Sequence, residues 1–251
     1  MKNKPVREFG LIGYPLGHSF SRQFFAEKFA REGHTDCRYE NYPLENIGLF
    51  PALLEQHPAL EGLNVTIPYK QQVMPFMDEL SDAASEVGAV NCIRFQKGMR
   101  KGYNTDVIGF ERSLRPLLEP HHVQALILGT GGAARAVAWV LARLGIAAEL
   151  VSRQGNAAAG IRDYASLDEP AMERYTLLIN TTPLGMYPQV NACPDIPYNL
   201  LSPRHLLYDL VYNPAETLFL RRGREQGAQV KNGEEMLILQ AEASWEIWNT
   251  P

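Results

Sequence analysis

One segment of the sequence, residues 123–144, limits the possible folds more than any other. Residues 123–128 are mostly apolar, residues 129–134 read G-T-G-G-A-A, and alanine-rich sequence of helical character follows to Leu144. A strand, a G-x-G-x-x-A turn and a helix in this order predict a dinucleotide-binding βαβ unit. The first glycine allows the tight turn, and the second lets the backbone approach a pyrophosphate at the helix N-terminus. A tight turn in an unrelated α/β protein is the alternative.

The next predicted strand, residues 147–153, indicates which dinucleotide would bind. Glu149 follows the first glycine by roughly the 20 residues typical of a ribose-binding carboxylate, but two apolar residues still separate it from the end of the strand. The tip itself carries Ser152 and Arg153. Because a guanidinium binds a phosphate through paired, charge-assisted hydrogen bonds, the sequence favours NADP over NAD.

A second informative stretch, residues 64–70, reads N-V-T-I-P-Y-K. Apolar and polar residues alternate over 64–67, which predicts a half-buried strand, and Pro68 marks its end. Since α/β proteins place their chemistry at strand ends, Asn64, Thr66 and Lys70 are candidates for the wall of a polar pocket. A strand that merely carries polar residues on its exposed face is the other interpretation. We expect a helix over residues 70–77.

The remaining pattern alternates strands with helical segments, which predicts an α/β fold with largely parallel sheets. With 251 residues, the chain has room for one large domain or two of ordinary size. The change of domain is placed between residues 106 and 123. Further strands are predicted over 9–13, 38–42, 89–95 and 206–212, and residues 177–183 are predicted to be a strand that runs into a polar turn. Further helices are predicted over 47–56, 107–118 and 234–248.

Composition argues against several classes of protein. A formal net charge of −4 and a pI near 5.9 do not suggest a nucleic-acid or anionic-membrane surface. Three widely spaced cysteines favour neither a disulfide framework nor a zinc cluster, so no metal is expected. Neither a signal peptide nor an uninterrupted apolar stretch of membrane-spanning length is recognisable, and a cytoplasmic location is expected.

Eight motifs, taken in order, resemble the pattern of the shikimate dehydrogenase family over about residues 9–248. They are G-Y-P-L-G-H-S-F-S at 13–21, N-V-T-I-P-Y-K at 64–70, G-A-V-N at 88–91, N-T-D at 104–106, G-T-G-G-A-A at 129–134, N-T-T-P-L-G-M at 180–186, Y-N-P at 212–214 and G-E-E-M-L-I-L-Q at 233–240.

This resemblance implies two domains with the active site in a cleft between them. The substrate domain would be discontinuous, formed by residues 1–106 and 235–251, and a Rossmann-type NADP-binding domain would span 107–234. The implied activity is the reversible, NADPH-dependent reduction of 3-dehydroshikimate to shikimate in chorismate and aromatic amino acid biosynthesis. The implied partners are small molecules, with neither nucleic acid nor membrane, and the protein would be a monomer or homodimer.

The resemblance also implies roles for individual residues. Lys70 and Asp106 would be catalytic. Substrate would be bound by Ser19, Ser21, Asn64, Thr66, Lys70, Asn91, Asp106, Tyr212 and Gln240. The cofactor would be bound by Gly129, Thr130, Gly131, Gly132, Ala133, Ser152, Arg153, Thr181 and Gly233. Helix capping by Ser19 or Ser21 and a structural role for Gln240 are the other interpretations of those residues.

Reduction of a ketone to an alcohol needs a hydride at carbon and a proton at oxygen, and the protein must supply the proton. A neighbouring carboxylate favours a charged ammonium, so Lys70 beside Asp106 should be protonated near neutral pH. Lys70 is therefore the expected proton donor, and Asp106 is expected to orient it. In the oxidative direction the deprotonated amine would accept the proton.

Four positions depart from the usual family pattern and leave alternatives open. Arg22 replaces a common proline, Ser152 and Gln154 stand where Asn-Arg-Thr is usual, and Ala157 occupies a position that is often basic. A quinate/shikimate dehydrogenase that uses NAD or NADP, and a catalytically silent nucleotide-sensing homologue, are the alternatives. A methylenetetrahydrofolate dehydrogenase is disfavoured because its tyrosine–lysine motif differs.

Overall fold

The computed structural model describes residues 6–17 and 20–250, and within them the chain forms twelve strands and eight α-helices. The chain divides into two compact units. Unit 1 comprises Met1–Ile108 and Gln240–Pro251, and unit 2 comprises Gly109–Leu239. None of the helices within the described residues has the length and apolarity needed to cross a membrane.

The first part of the chain supplies most of unit 1. Its elements are β1 (Arg7–Gly13), α1 (Phe20–Glu32), β2 (Cys37–Pro43), α2 (Phe50–Gln56), β3 (Leu60–Val65), β4 (Glu79–Leu80), α3 (Asp82–Val87), β5 (Cys92–Gln96) and β6 (Met99–Tyr103). Their strands form one mixed sheet in the order β2-β1-β3-β5-β6-β4. β1 pairs in parallel with β2 and β3, whereas β5 runs antiparallel to both β3 and β6.

The elements that follow build unit 2 and return the chain to unit 1. They are α4 (Asp106–Leu114), β7 (Gln124–Leu128), α5 (Gly132–Arg143), β8 (Ala147–Ser152), β9 (Ile161–Asp163), α6 (Glu169–Arg174), β10 (Leu177–Asn180), β11 (Leu206–Asp209), α7 (Leu218–Glu225), β12 (Gln229–Lys231) and α8 (Glu234–Trp248). Helices α4 and α8 each contain a unit boundary, at Ile108/Gly109 and at Leu239/Gln240.

Unit 1 has hydrophobic clusters on both faces of its sheet, because successive side chains of a strand point to opposite faces. Phe9 and Leu11 of β1 pack in the cluster that contains Trp248 of α8, whereas Ile12 packs in the other cluster. The Trp248 indole donates a hydrogen bond of 2.9 Å to the Ile93 carbonyl. A Cβ on Gly62 would overlap this indole, so a glycine at that position lets α8 approach the sheet.

In unit 2 every pair of adjacent strands is parallel, in the order β12-β11-β10-β7-β8-β9. Strands of such sheets are apolar throughout because both faces are covered, and residues 125–128 and 177–179 are completely buried. The carboxyl ends of these strands lie at one edge, which is where open α/β sheets bind ligands. The predicted α/β class is confirmed.

Two predictions around residues 64–77 were wrong. All four residues from Gly62 to Val65 are buried, whereas Ile67 is 75% exposed, because β3 is an interior strand that ends at Val65 and is covered on both faces. The helix expected over 70–77 is a series of turns with a single 3₁₀ turn, Met74–Phe76. Pro75 has no N–H to continue a helical ladder.

Candidate active site

Lys70 and Asp106 form a direct ion pair in unit 1. The Lys70 Nζ atom lies 2.7 Å from Asp106 Oδ2, and the side chains are 33% and 22% exposed. The turn that carries Lys70 is fixed from two sides: the buried Tyr69 phenol donates to the Leu44 carbonyl, and the Lys70 carbonyl accepts a 2.7 Å hydrogen bond from Val90 N. A held, partly exposed ammonium of this kind can exchange a proton with a ligand.

Asp106 is the first residue of α4, and the turn before it is held by a buried amide. Asn104 donates through Nδ2 to the Ala89 carbonyl at 3.0 Å and accepts at Oδ1 from Val107 N at 3.4 Å. A carboxylate in the first turn of a helix is stabilised by the helix dipole. The Asp106 carboxylate is therefore held both by the helix terminus and by the Lys70 ammonium.

Thr105 connects two further candidates, Asn91 and Gln240. Its N–H and its hydroxyl both donate to Asn91 Oδ1, at 2.6 and 3.2 Å, and its hydroxyl lies 3.4 Å from Gln240 Oε1. These bonds fix the orientation of the Asn91 amide and leave its Nδ2 without an acceptor among the described residues. Thr66 follows β3 directly, and its half-buried side chain makes no hydrogen bond within the described part of the chain. Both side chains can therefore bond a ligand.

Asn64 has both ends of its amide engaged by protein groups. Its Oδ1 accepts from the Tyr39 phenol at 2.9 Å, and its Nδ2 donates to Ser244 Oγ at 2.8 Å and to the Asn91 carbonyl at 3.3 Å. Asn64, Asn91 and, through Thr105, Gln240 therefore belong to one hydrogen-bonded network. Ser21 lies close enough to the Tyr39 phenol to affect its pKa. Ser19 lies outside the described residues.

Three members of this network, Tyr39, Thr105 and Ser244, were not predicted from the sequence. Ser244 could have been found, because it follows Gln240 by four residues on α8 and so shares its helix face. Thr105 stands between two residues of the N-T-D motif that were already considered. No local signal identifies Tyr39, which reaches Asn64 only because β1 brings β2 and β3 together.

Unit 2 contains a cavity of about 400 Å³ at the carboxyl edge of its sheet. The lining residues predicted from the sequence are Gly129, Thr130, Gly131, Ser152, Arg153 and Thr181. The lining residues that were not predicted from the sequence are Tyr164, Thr182, Pro183 and Leu184. Gly132 and Ala133 form the first turn of α5 beside this cavity.

The glycines at this cavity fit a bound dinucleotide. Gly129 has φ +121°, and a Cβ there would overlap the Thr181 hydroxyl, so only glycine suits the turn. A Cβ on Gly131 would meet nothing within 4 Å and would occupy open space in front of the helix. Gly131 is the N-cap of α5 and has no side chain to cap the helix, so the first N–H groups are available to an anion.

Arg153 and Glu149 differ in whether protein groups already bind their charges, and this difference bears on the predicted preference for NADP. Arg153 is exposed and makes no ion pair within the described residues. Glu149 accepts hydrogen bonds from Arg162 and Tyr175, which lower the pKa of its carboxyl. The carboxylate is thus held by protein groups, and the free guanidinium is the group at the strand tip that suits a phosphate.

Tyr212 and Gly233 also belong to unit 2 but are not among the residues that line this cavity. Tyr212 follows β11 and is 44% exposed. Gly233 precedes α8, its N–H donates to the Val211 carbonyl at 3.2 Å, and a Cβ on it would overlap the Leu210 carbonyl. A glycine at 233 thus allows two backbone segments to approach closely.

Arg22 does not disturb the first turn of α1. The helix begins at Phe20 and includes Ser21 and Arg22. The Arg22 guanidinium forms a 3.2 Å ion pair with Glu40, and both side chains are about half exposed. The positive charge that Arg22 adds is therefore paired with the carboxylate of Glu40 in β2.

Comparisons with known proteins agree with these features. Residues 11–93 match the family model of the shikimate dehydrogenase substrate binding domain. The shikimate dehydrogenase (NADP(+)) of Halothermothrix orenii is 40% identical, and the match covers 99% of this chain and 92% of the relative.

Two solved structures have closely similar folds. Shikimate 5-dehydrogenase from Thermus thermophilus, in complex with NADP(H) and shikimate, has a TM-score of 0.85 and 30% identity, covering 97% of this chain and 94% of that chain. The ligand-free 5-ketofructose reductase of Gluconobacter sp. strain CHM43 has a TM-score of 0.86 and 27% identity, covering 97% of this chain and 93% of that chain. The near-complete match to a relative with 40% identity confirms the resemblance of the motifs: the chain belongs to the shikimate dehydrogenase family.

Proposed function

We propose that the chain catalyses the reversible reduction of 3-dehydroshikimate to shikimate with NADPH, a step of chorismate and aromatic amino acid biosynthesis. The observation that carries the proposal is the 2.7 Å Lys70–Asp106 pair in unit 1, in a chain whose unit 2 has a glycine-rich turn beside a cavity. The relatives named for this activity with NADP(+) support it. A cytoplasmic location and a monomeric or homodimeric state are part of the proposal.

We assign proton transfer to Lys70. When bound, NADPH supplies the hydride, so the protein must deliver a proton to the carbonyl oxygen. The Lys70 ammonium donates that proton and stabilises negative charge that develops on the oxygen. Asp106 holds the ammonium in place, and it is itself held at the N-terminus of α4. In the oxidative direction the neutral amine of Lys70 accepts the proton from the hydroxyl.

Substrate binding is assigned to the remaining predicted residues of unit 1, with one refinement. Ser19 and Ser21 would bind the carboxylate, and Thr66, Asn91 and Gln240 would bind ring hydroxyls. For Asn64 we propose a positioning role, because its amide already makes hydrogen bonds at both ends. Its bond to the Asn91 carbonyl supports the residue whose Nδ2 can face a ligand. The substrate domain is proposed as residues 1–106 and 235–251.

Cofactor binding is assigned to the domain formed by residues 107–234. The turn at 129–133 would bind the pyrophosphate, Ser152 and Arg153 the 2′-phosphate, and Thr181 and Gly233 the nicotinamide end. Tyr212, a predicted substrate-binding residue, would lie near the nicotinamide end. Ser152, Gln154 and Ala157 add no second positive charge beside Arg153. One guanidinium would therefore distinguish NADP from NAD by itself.

The test is a steady-state assay of oxidation with shikimate or quinate as substrate and NADP or NAD as cofactor. We expect the highest kcat/KM for shikimate with NADP. A higher kcat/KM for quinate with NAD would replace the proposal with the quinate/shikimate dehydrogenase alternative. NADP binding without turnover of either substrate would indicate a nucleotide-sensing homologue instead. Reduction of 5-ketofructose should be measured in parallel, since a reductase of that name shares the fold.

A further inference from the structure

Strand β11 ends on Asp209, a completely buried carboxylate that the proposed reaction does not use. Its Oδ2 accepts a 2.6 Å hydrogen bond from the Thr217 hydroxyl, and its Oδ1 accepts from Asn180 Nδ2 at 2.9 Å and from Val211 N at 3.0 Å. Within the described residues it makes no ion pair, so its charge is held by neutral donors alone. Burial raises the pKa of Asp209 to about 6, against the effect of these donors.

On one side, Asp209 acts through Asn180 on the wall of the cavity in unit 2. Asn180 is completely buried, and its Oδ1 accepts from both the N–H and the hydroxyl of Thr182, at 3.0 and 2.6 Å. The Thr182 hydroxyl in turn accepts from Leu184 N at 3.3 Å. Thr182 and Leu184 both line the cavity. The carboxylate thus fixes the Asn180 amide, which fixes the loop after β10.

On the other side, Asp209 fixes the loop after β11. Val211 N donates to it directly, and the Val211 carbonyl accepts from Gly233 N at 3.2 Å. Thr217, at the far end of this loop, uses its hydroxyl both to bond Asp209 and to cap α7 at Leu220 N. Tyr212, assigned to the nicotinamide end, lies in the same loop. One buried group therefore joins the three segments that carry Thr181, Tyr212 and Gly233.

We propose that Asp209 is a positioning residue for the dinucleotide, which holds the loops after β10 and β11 in the conformation that binds it. The carboxylate does not touch the ligand. A buried charge without a counter-ion lowers the stability of the fold. A polar network in which every group is hydrogen-bonded offsets this cost, because it holds the surrounding loops in a single conformation. The inference rests on the proposed function, because it takes NADPH to be the ligand of this cavity.

A matched pair of threonine variants tests the inference. Thr217→Val removes the hydroxyl that bonds Asp209, and Thr176→Val removes a hydroxyl that is equally buried, at the opposite end of β10, where it donates to the His121 carbonyl at 3.2 Å. Both changes keep the shape of the side chain. Thr176→Val deletes one buried hydrogen bond, whereas Thr217→Val deletes the bond to Asp209 together with the cap of α7 at Leu220 N. We expect the Kd for NADPH, measured by fluorescence titration, to rise about five- to tenfold in Thr217→Val and to stay within about twofold in Thr176→Val.

Asp209→Asn provides a second variant that keeps the size of the side chain and removes its charge. Because burial penalises the charged form, this variant should have a Tm at pH 8 no lower than that of the unmodified protein, together with a raised Kd for NADPH. A purely structural role would instead lower the Tm and leave the Kd unchanged.

Two outcomes separate this inference from the proposed function. NADPH binding by the unmodified chain with an unchanged Kd in both Thr217→Val and Asp209→Asn would overturn the positioning role alone. Absence of NADPH binding by the unmodified chain would overturn the proposed function and the positioning role with it.

Discussion

At the scale of the residue, the proposed chemistry depends on Lys70. Among the described residues it has one charged partner, Asp106, and its turn is fixed by the buried Tyr69, so the ammonium has a defined position in the turn that follows β3. Lys101 of the same unit instead pairs at 3.0 Å with Glu79, whose side chain is more than half exposed. The two lysines therefore allow a matched comparison.

Lys70→Ala should lower kcat for shikimate oxidation by about 100-fold or more, because general acid–base catalysis typically contributes 10²- to 10⁴-fold. The Kd for NADPH should not change, since the glycine turn and Arg153 lie in unit 2. Steady-state kinetics and fluorescence titration measure the two quantities. Lys101→Ala should retain kcat, and a near-normal kcat in Lys70→Ala would refute the assignment.

In the proposed function, the preference for NADP depends on Arg153. Arg153→Ala should raise the KM for NADPH much more than the KM for NADH, because only NADPH carries the 2′-phosphate that a guanidinium binds. Arg143→Ala is a suitable control, since this exposed arginine lies over Trp139 near the end of α5. Equal changes in KM for the two cofactors would mean that Arg153 does not bind the phosphate.

Residues whose roles are local could be identified from the sequence, and residues placed by tertiary packing could not. Lys70 and Asp106 stand in compact motifs, and the glycine turn at 129–134 specifies its own conformation. Tyr39 and Asp209 look like ordinary members of apolar or mixed strands. Their importance comes from hydrogen bonds to Asn64 and Asn180, which lie 25 and 29 residues away in the chain.

At the scale of the element, the hydrophobic periodicity of the sequence predicted the bounds of α8 correctly and those of β3 wrongly. The last helix was predicted over 234–248 and forms over Glu234–Trp248. The alternation of apolar and polar residues at 64–67 wrongly predicted a strand with one exposed face. β3 is an interior strand covered on both faces, so it has no polar, solvent-facing side. Pro68 marks the end of the β3 region only approximately, since the ladder already stops at Val65.

Two glycines at the starts of helices should respond to alanine in opposite ways. Gly131→Ala should leave the Tm within a few degrees, because the new Cβ meets no protein atom within 4 Å, yet it should weaken NADPH binding by filling the space of the pyrophosphate. Gly233→Ala should lower the Tm, because its Cβ would overlap the Leu210 carbonyl. Thermal denaturation and NADPH titration of both variants check this. Tight NADPH binding by Gly131→Ala would argue against the proposed position of the pyrophosphate.

At the scale of the whole molecule, each unit has its own sheet and its own buried core, so a perturbation can be assigned to one of them. The edge of the unit 2 sheet opposite its cavity contains two buried histidines, His122 and His205, which are 5% and 4% exposed. His205 accepts from Ser202 N at 3.0 Å and donates to the Met172 carbonyl at 2.9 Å. One ring nitrogen accepts and the other donates, which is the pattern of a neutral imidazole.

Burial lowers the pKa of both histidines below the ordinary value of 6.5. As the pH falls below about 6.5, the unfolded chain therefore takes up protons before the folded protein does. Their contribution to stability is complete above that pH and is lost as the pH falls towards the lowered values. Asp209 has the opposite effect on stability. Because burial raises its pKa to about 6, protonation of Asp209 as the pH falls removes a buried charge and so stabilises the folded protein.

His205→Gln should therefore show a smaller fall in Tm between pH 7.5 and pH 5.5 than the unmodified protein, although its Tm at pH 7.5 should be lower because a buried hydrogen bond is lost. Differential scanning calorimetry at several pH values measures the slopes, and the comparison at each pH cancels the contribution of Asp209. His34→Gln, at a half-exposed position in unit 1, controls for the loss of a histidine. Parallel slopes for His205→Gln and the unmodified protein would show that acid sensitivity arises elsewhere.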